Sequence, residues 1–226
     1  WDGCWNARDL GGLRTSRATF TRERELVRSD ALDGLTANGW RAVSEHGIRT
    51  IIDLRNPDQR PSPPARVSGV RVLNVPLEDG LQSDACFVEL MRSGTWATSM
   101  YLGAFLERWP QRVVRVLEEI ASAPPGGIVF HCKKGSDRTG VVALAILALA
   151  QVDAEEIVDD YERTASRLRT HGDALGVRDD AAALATTYER LGATPRSGVL
   201  RALDVWRAIE PAVDADLLRA LRPRIA

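Results

Sequence analysis

A chain of 226 residues, 44% hydrophobic and 27% charged, can bury a sizeable core as a single domain spanning 1–226. Its formal net charge of −1 gives no general attraction to nucleic acid or to an anionic membrane surface. No apolar run reaches the length that crosses a bilayer, so no transmembrane segment is expected.

In chain order, residues 1–33 hold an arginine-rich strand region ending near Arg28-Ser29-Asp30. Thr36 is placed to cap a helix running to His46. Ile48 to Leu54 is β-branched and reads as a buried strand, and Asn56 to Pro64, with four prolines, as a rigid surface loop. Val70 to Val75 is a further strand ending at Pro76. Residues 80–109 read as a loop followed by helix, a possible lid insertion. Val113 to Ala121 is an amphipathic helix, Gly127 to Phe130 a short buried strand, and Val141 to Ala150 a helix apolar nearly all round. The part from 153 to 226 is helical, with helices expected at 153–168, 179–191, 198–209 and 214–221. Alternating strands and helices imply an α/β fold, with a central, mostly parallel sheet flanked by helices and extra C-terminal helices.

The segment His131-Cys-Lys-Lys-Gly-Ser-Asp-Arg-Thr-Gly140 lies between that strand and that helix. Strand, tight loop and helix N-terminus together make a phosphate site. Backbone amides from Lys133 through Lys134, Gly135, Ser136 and Asp137 to Arg138 can converge on oxyanions, and the positive end of the helix beginning near Thr139 adds to them. Gly135 permits a turn that a Cβ would obstruct. Arg138 offers a planar, permanently charged fork, and Cys132 a nucleophile that attacks as thiolate. Thr139 is expected to donate its hydroxyl to the cysteine sulfur, and His131 to orient the loop. Lys133 and Lys134 are the only lysines among 30 basic residues, which points to a use for ammonium groups at the loop.

Cys-x5-Arg followed by Thr-Gly resembles the signature of cysteine-dependent protein tyrosine and dual-specificity phosphatases. More narrowly, the chain resembles a bacterial tyrosine phosphatase family whose loop reads His-Cys-x-x-Gly-Lys-Asp-Arg-Thr-Gly. Asn6-Ala-Arg-Asp-Leu-Gly-Gly12, Gly47-Ile-Arg-Thr-Ile-Ile-Asp-Leu-Arg55 and Ile157-Val-Asp-Asp-Tyr161 carry the likeness beyond the loop. Ser136 stands where that family has lysine.

The resemblance implies metal-independent hydrolysis of phosphate monoesters through a cysteinyl-phosphate on Cys132, with Arg138 and the loop amides holding the phosphoryl oxygens. It suggests Asp137 as general acid. Asp79, after a strand-to-loop entry resembling that of dual-specificity phosphatases, and Asp53, at a strand end, are the alternatives. Asp53 could instead pair with Arg8 or Arg55, and Arg8 with Asp9 is read as a structural ion pair. The substrate could be a phosphoprotein, a phosphoinositide, or a small phosphate ester such as a metabolite or nucleotide. The same fold without catalysis would make a phosphate-binding module, but a pure binder has no need of the nucleophile.

The three cysteines, Cys4, Cys86 and Cys132, are odd in number and widely spaced, which argues for a reducing, cytoplasmic compartment. Export stays open, because the chain begins at Trp1 without Met. Cys4 and Cys86 read as inert. His46, His131 and His171 have no metal-ligand spacing, so neither metal nor other cofactor is expected. Most of the six tryptophans, Trp96 included, read as packing residues, and Tyr161 as a buried hydrogen-bonding aromatic.

Overall fold

The computed structural model describes residues 1–60, 69–170 and 181–225. Pro61, Pro63, Pro64, His171 and the expected start of a helix at 179 lie outside the described residues.

Five strands form one sheet: β1 (Arg8–Asp9), β2 (Leu26–Ser29), β3 (Ile48–Asp53), β4 (Arg71–Asn74) and β5 (Gly127–His131). Their order is β1-β2-β5-β3-β4, and only the β1–β2 pair is antiparallel. The mostly parallel α/β sheet expected from the sequence is therefore present. Side chains alternate across the pleat. Val27, Ile51 and Val129 pack on one face, under α1 (Ala37–Glu45), which Thr36 caps through the Gly39 amide. Leu26, Ile52, Ile128 and Phe130 pack on the other face, in the main core.

That main core is built from helices. α2 (Ala85–Arg92) and α3 (Met100–Arg108) lie within 80–109, and α4 (Pro110–Ser122) follows. α5 (Asp137–Leu149) follows the loop that begins at Cys132, and α6 (Ala154–Thr170), α7 (Ala181–Arg190), α8 (Pro195–Ile209) and α9 (Ala215–Ile225) come after it. α5 is buried on every side from Arg138 to Leu147, which explains its lack of an amphipathic stripe. It begins at Asp137, two residues before the expected start near Thr139 and four before the apolar run. α3 buries Tyr101, Leu102, Phe105 and Leu106 and packs most extensively on α8, so this part of 80–109 is core. Trp96 is half-buried and packs against the same cluster.

Register sets the position of the site. Ser29 and Asp53 both pair with His131, and Asp53 also pairs with Asn74. Strands β2, β5, β3 and β4 thus end in one row, and the segments leaving them meet at the carboxyl edge of the sheet, where open α/β sheets place ligands.

Trp206 of α8 is fully buried in the main core. Trp206→Ala is expected to lower stability by about 3–5 kcal/mol in urea denaturation.

Candidate active site at the carboxyl edge of the sheet

Five consecutive carbonyls in and before the loop are tied down by five different donors. The His131 carbonyl accepts from the Leu54 amide at 2.8 Å, and the Lys133 carbonyl from the Ala31 amide at 3.0 Å. The Cys132 carbonyl accepts from Nδ1 of His131 at 3.1 Å. The Lys134 carbonyl accepts from Asn6 Nδ2 at 2.9 Å, and the Gly135 carbonyl from Arg28 Nη2 at 2.7 Å. In a planar trans peptide the following N–H points the opposite way. The amides of Lys133, Lys134, Gly135 and Ser136 accordingly face away from this scaffold, and among the described residues no acceptor takes them. Such a row of free amides is an anion nest. Gly135 sits at φ +71°, and a Cβ there would lie 2.6 Å from the Ser29 carbonyl oxygen. Both conformation and space therefore require glycine at this position.

The scaffold is held by one buried carboxylate. Asp160 of α6 takes Nε of Arg8 on one oxygen at 2.6 Å and Nη1 of Arg28 on the other. Arg8 also donates to Asn6 Oδ1 at 2.6 Å, to the Asp160 carbonyl at 2.7 Å and to Thr164 Oγ1 at 2.9 Å. Burial works to raise the Asp160 pKa, but Arg28 and Arg8 together hold it below the ordinary aspartate value. Burial, reinforced by Arg28, lowers Arg8 to about 10. Arg8 does not pair with Asp9, as the sequence suggested. Neighbouring residues of a strand point to opposite faces, and Asp9 instead accepts from the Gly11 and Arg24 amides and lies 3.3 Å from His46 Nε2.

Cys132 is buried at the mouth of β5, and Arg138 is largely buried in the first turn of α5. Arg138 directs Nη1 to Gln59 Oε1 at 2.6 Å and to Glu78 Oε2 at 3.2 Å. Burial opposes its charge, but the Cys132 sulfur, Glu78, Tyr101 and Asp137 outweigh it and raise its pKa. Asp137 accepts from Ser136 Oγ at 3.1 Å, and its pKa is raised to about 6, first by burial and further by Glu78. Thr139 Oγ1 is buried without a hydrogen-bond partner, so the expected bond to the cysteine sulfur is not made.

The other two candidate acids stand apart from this cluster. Asp53 is buried and bound by Arg55 through Nε at 3.0 Å and Nη2 at 2.8 Å, and by Arg60 at 3.2 Å. Burial pulls its pKa up, but Arg55 and His131 bring it below the usual value. Asp53 also lies 3.9 Å from His131 Nε2, on a ring whose pKa burial lowers. Nδ1 of the same ring meets the Cys132 carbonyl. Asp79 is exposed, and the carboxylate that turns toward the loop is its neighbour Glu78, which the sequence did not single out. Tyr161 is half-buried, and its hydroxyl interacts with Tyr188 and Ser136. Lys133 is exposed and Lys134 half-buried.

Cys4 lies beneath the loop, donating to Asp30 Oδ1 at 2.7 Å, and burial with Asp30 pushes its thiol up to about 12, which makes it inert. Cys86 is exposed on α2, and no cysteine is in a disulfide. Among the described residues, no helix is long and apolar enough to cross a membrane.

The sequence profile described as "Tyrosine phosphatase family" matches residues 1–215. A Cupriavidus necator protein provisionally named a tyrosine-protein phosphatase is 28% identical over 223 residues, covering 93% of this chain and 80% of that protein. A Nostoc commune tyrosine-protein phosphatase is 30% identical over 155 residues, covering 67% of this chain and about half, 52%, of its own length. The triple specificity protein phosphatase PtpB of Mycobacterium tuberculosis is 28% identical over 191 residues, covering 72% of this chain and 67% of its own.

Removing the Asp160 charge strands two buried guanidinium groups. Asp160→Asn is expected to lower stability by about 3–5 kcal/mol at neutral pH. Because the Asp160 pKa is depressed, its contribution is present above the unfolded value of 3.8 and is lost as pH falls through the folded one. Denaturation across acid pH should therefore show a flatter loss in the variant than in the parent.

Proposed function

The chain belongs to the tyrosine phosphatase family, and from that premise we propose that it hydrolyses phosphate monoesters, without a metal, through a cysteinyl-phosphate on Cys132. The observation that carries this reading is the row of free amides beside Cys132 and Arg138, created by tying five successive carbonyls to the scaffold behind the loop.

The substrate's phosphoryl oxygens rest on the loop amides and Arg138. The Cys132 thiolate attacks phosphorus, an S–P bond forms, and the bond to the leaving oxygen breaks. Asp137 gives that oxygen its proton. Its raised pKa of about 6 keeps it partly protonated near neutrality, as a general acid requires. In the second step water attacks phosphorus, Asp137 takes the water's proton, and the sulfur leaves as thiolate. Amides and guanidinium stabilise the charge on the equatorial oxygens in both steps. Asp53, ionised among arginines, and Asp79, exposed to solvent, suit this role less well.

Protein phosphotyrosine is the first substrate to test, given the family. A second reading, a more highly charged phosphate ester, is favoured by Lys133 and Lys134, whose ammonium groups make no hydrogen bond or close ion pair among the described residues. It is also favoured by the relative named for triple specificity. The unpaired cysteines suit a reducing compartment, and the cytoplasm is the location we propose.

Phosphate release should be measured with chelator present on aryl phosphate, phosphotyrosine and phosphoserine peptides, phosphoinositides, sugar phosphates and nucleotides. Cys132→Ser is expected to abolish turnover while still binding phosphate. Asp137→Asn should lose about 10²- to 10⁴-fold on esters with poor leaving groups, less on aryl phosphate, and should lose the alkaline limb of the pH profile. Asp53→Asn or Asp79→Asn showing that pattern instead would move the acid role. Well-folded parent protein that binds phosphate but hydrolyses nothing would leave only a binding module.

A further inference from the structure

Glu78 meets two of the site's groups with its two carboxylate oxygens. Oε1 accepts from the hydroxyl of Tyr101 at 2.8 Å, and Oε2 lies 3.2 Å from Arg138 Nη1. Tyr101 is fully buried in α3, and burial, then Glu78, raises its pKa well above the usual phenol value, so it remains a donor. The chain leading to Glu78 is fixed as well. The Val75 amide bonds the Asp53 carbonyl at 2.9 Å, and Arg112 Nη1 bonds the Leu77 carbonyl at 3.0 Å. Leu77 between them is fully buried. This carboxylate is therefore held in place by the core.

Gln59 takes the same nitrogen of Arg138, Nη1, at 2.6 Å. Both anchors engage one corner of the guanidinium. Among the described residues no protein acceptor takes Nε or Nη2, the edge with which an arginine grips two oxygens of an anion.

We propose that Glu78, fixed by Tyr101 and assisted by Gln59, is a positioning residue that orients Arg138 for the phosphoryl group. This rests on the phosphatase reading and deepens it. Asp137 is faced by Ser136 and Lys134 of the loop, by its neighbour Arg138, by Tyr101 of α3, by Tyr161 of α6 and by Glu78. Arg138 and Lys134 favour its ionised form, and Glu78 is the nearby anion that opposes them. The same negative charge lies close to where a phosphate dianion must bind. Glu78 therefore trades phosphate affinity for geometry and for a protonated acid, and its loss should separate those effects.

The test uses Glu78→Gln, which keeps volume and an acceptor for Tyr101 but removes the charge, with Tyr101→Phe as a second variant and Cys132→Ser as control. Glu78→Gln is expected to lower kcat on an alkyl phosphate by about tenfold to a hundredfold. Its alkaline limb should move to lower pH, and inorganic phosphate should bind more tightly than to the parent. Tyr101→Phe should lower kcat without moving the alkaline limb, because the Glu78 charge remains. Parent-like kcat, pH profile and phosphate affinity in folded Glu78→Gln would overturn the proposal. If that variant fails to fold, a parent-like kcat in Tyr101→Phe would do so. Should the parent show no Cys132-dependent turnover, the phosphatase reading fails separately, and calorimetric titration with inorganic phosphate still decides the placement of Glu78. Unchanged affinity in Glu78→Gln rejects it, and tighter binding supports it.

Discussion

One buried carboxylate, Asp160, holds two buried arginines, and the conformation of the phosphate loop depends on that triad. Bringing three charges out of water is costly, and their mutual attraction offsets the cost best where the remaining donors are satisfied. Here the spare donors of Arg8 go to Asn6, Thr164 and the α6 backbone, and Nη2 of Arg28 goes to the Gly135 carbonyl, while Arg28 Nε is buried without a partner among the described residues. Asn6, oriented by Arg8, holds the Lys134 carbonyl. A helix, two strands and a loop distant in sequence are joined in this way at one point. The consequence is local: the loop's carbonyls are occupied behind it, and its amides face the side where an anion can sit.

The charges in front of the loop are arranged differently. Arg138 is the central cation, flanked by Glu78 and near Asp137. Two carboxylates near one another cannot both ionise at no cost. Glu78 is occupied by Arg138 and Tyr101, while among the described residues Asp137 accepts the hydroxyl of Ser136 alone, and it is the Asp137 pKa that is raised. Asp53 has the opposite environment. Its arginine partners favour its ionised form, and it sits beside the His131 ring that meets the Cys132 carbonyl. Two aspartates near one loop are thus shifted in opposite directions by their surroundings.

Much of this was legible in the sequence. The β-branched runs at Ile48 and Gly127 and the wholly apolar Val141–Ala150 stretch became β3, β5 and α5, because short buried elements carry strong patterns. Cys132, Gly135 and Arg138 were singled out from their residue types and spacing in one short segment between a strand and a helix. What remained hidden was pairing across long sequence separations. Arg8 appeared to belong with Asp9 beside it, yet its partner is 152 residues away in α6. Glu78 carries no motif of its own, and only the register of β4 and the buried Leu77 turn it, rather than Asp79, toward Arg138. The Thr139 hydroxyl looked committed to the cysteine sulfur, but it is buried without a hydrogen-bond partner among the described residues.

The most direct test of the account is to stop turnover of an aryl phosphate by rapid quench and to map the phosphoryl group on the protein by mass spectrometry. The account predicts phosphate on the sulfur of Cys132 during turnover, and neither phosphate nor turnover in Cys132→Ser. Continued hydrolysis with Cys132 unmodified, or in its serine variant, would contradict it.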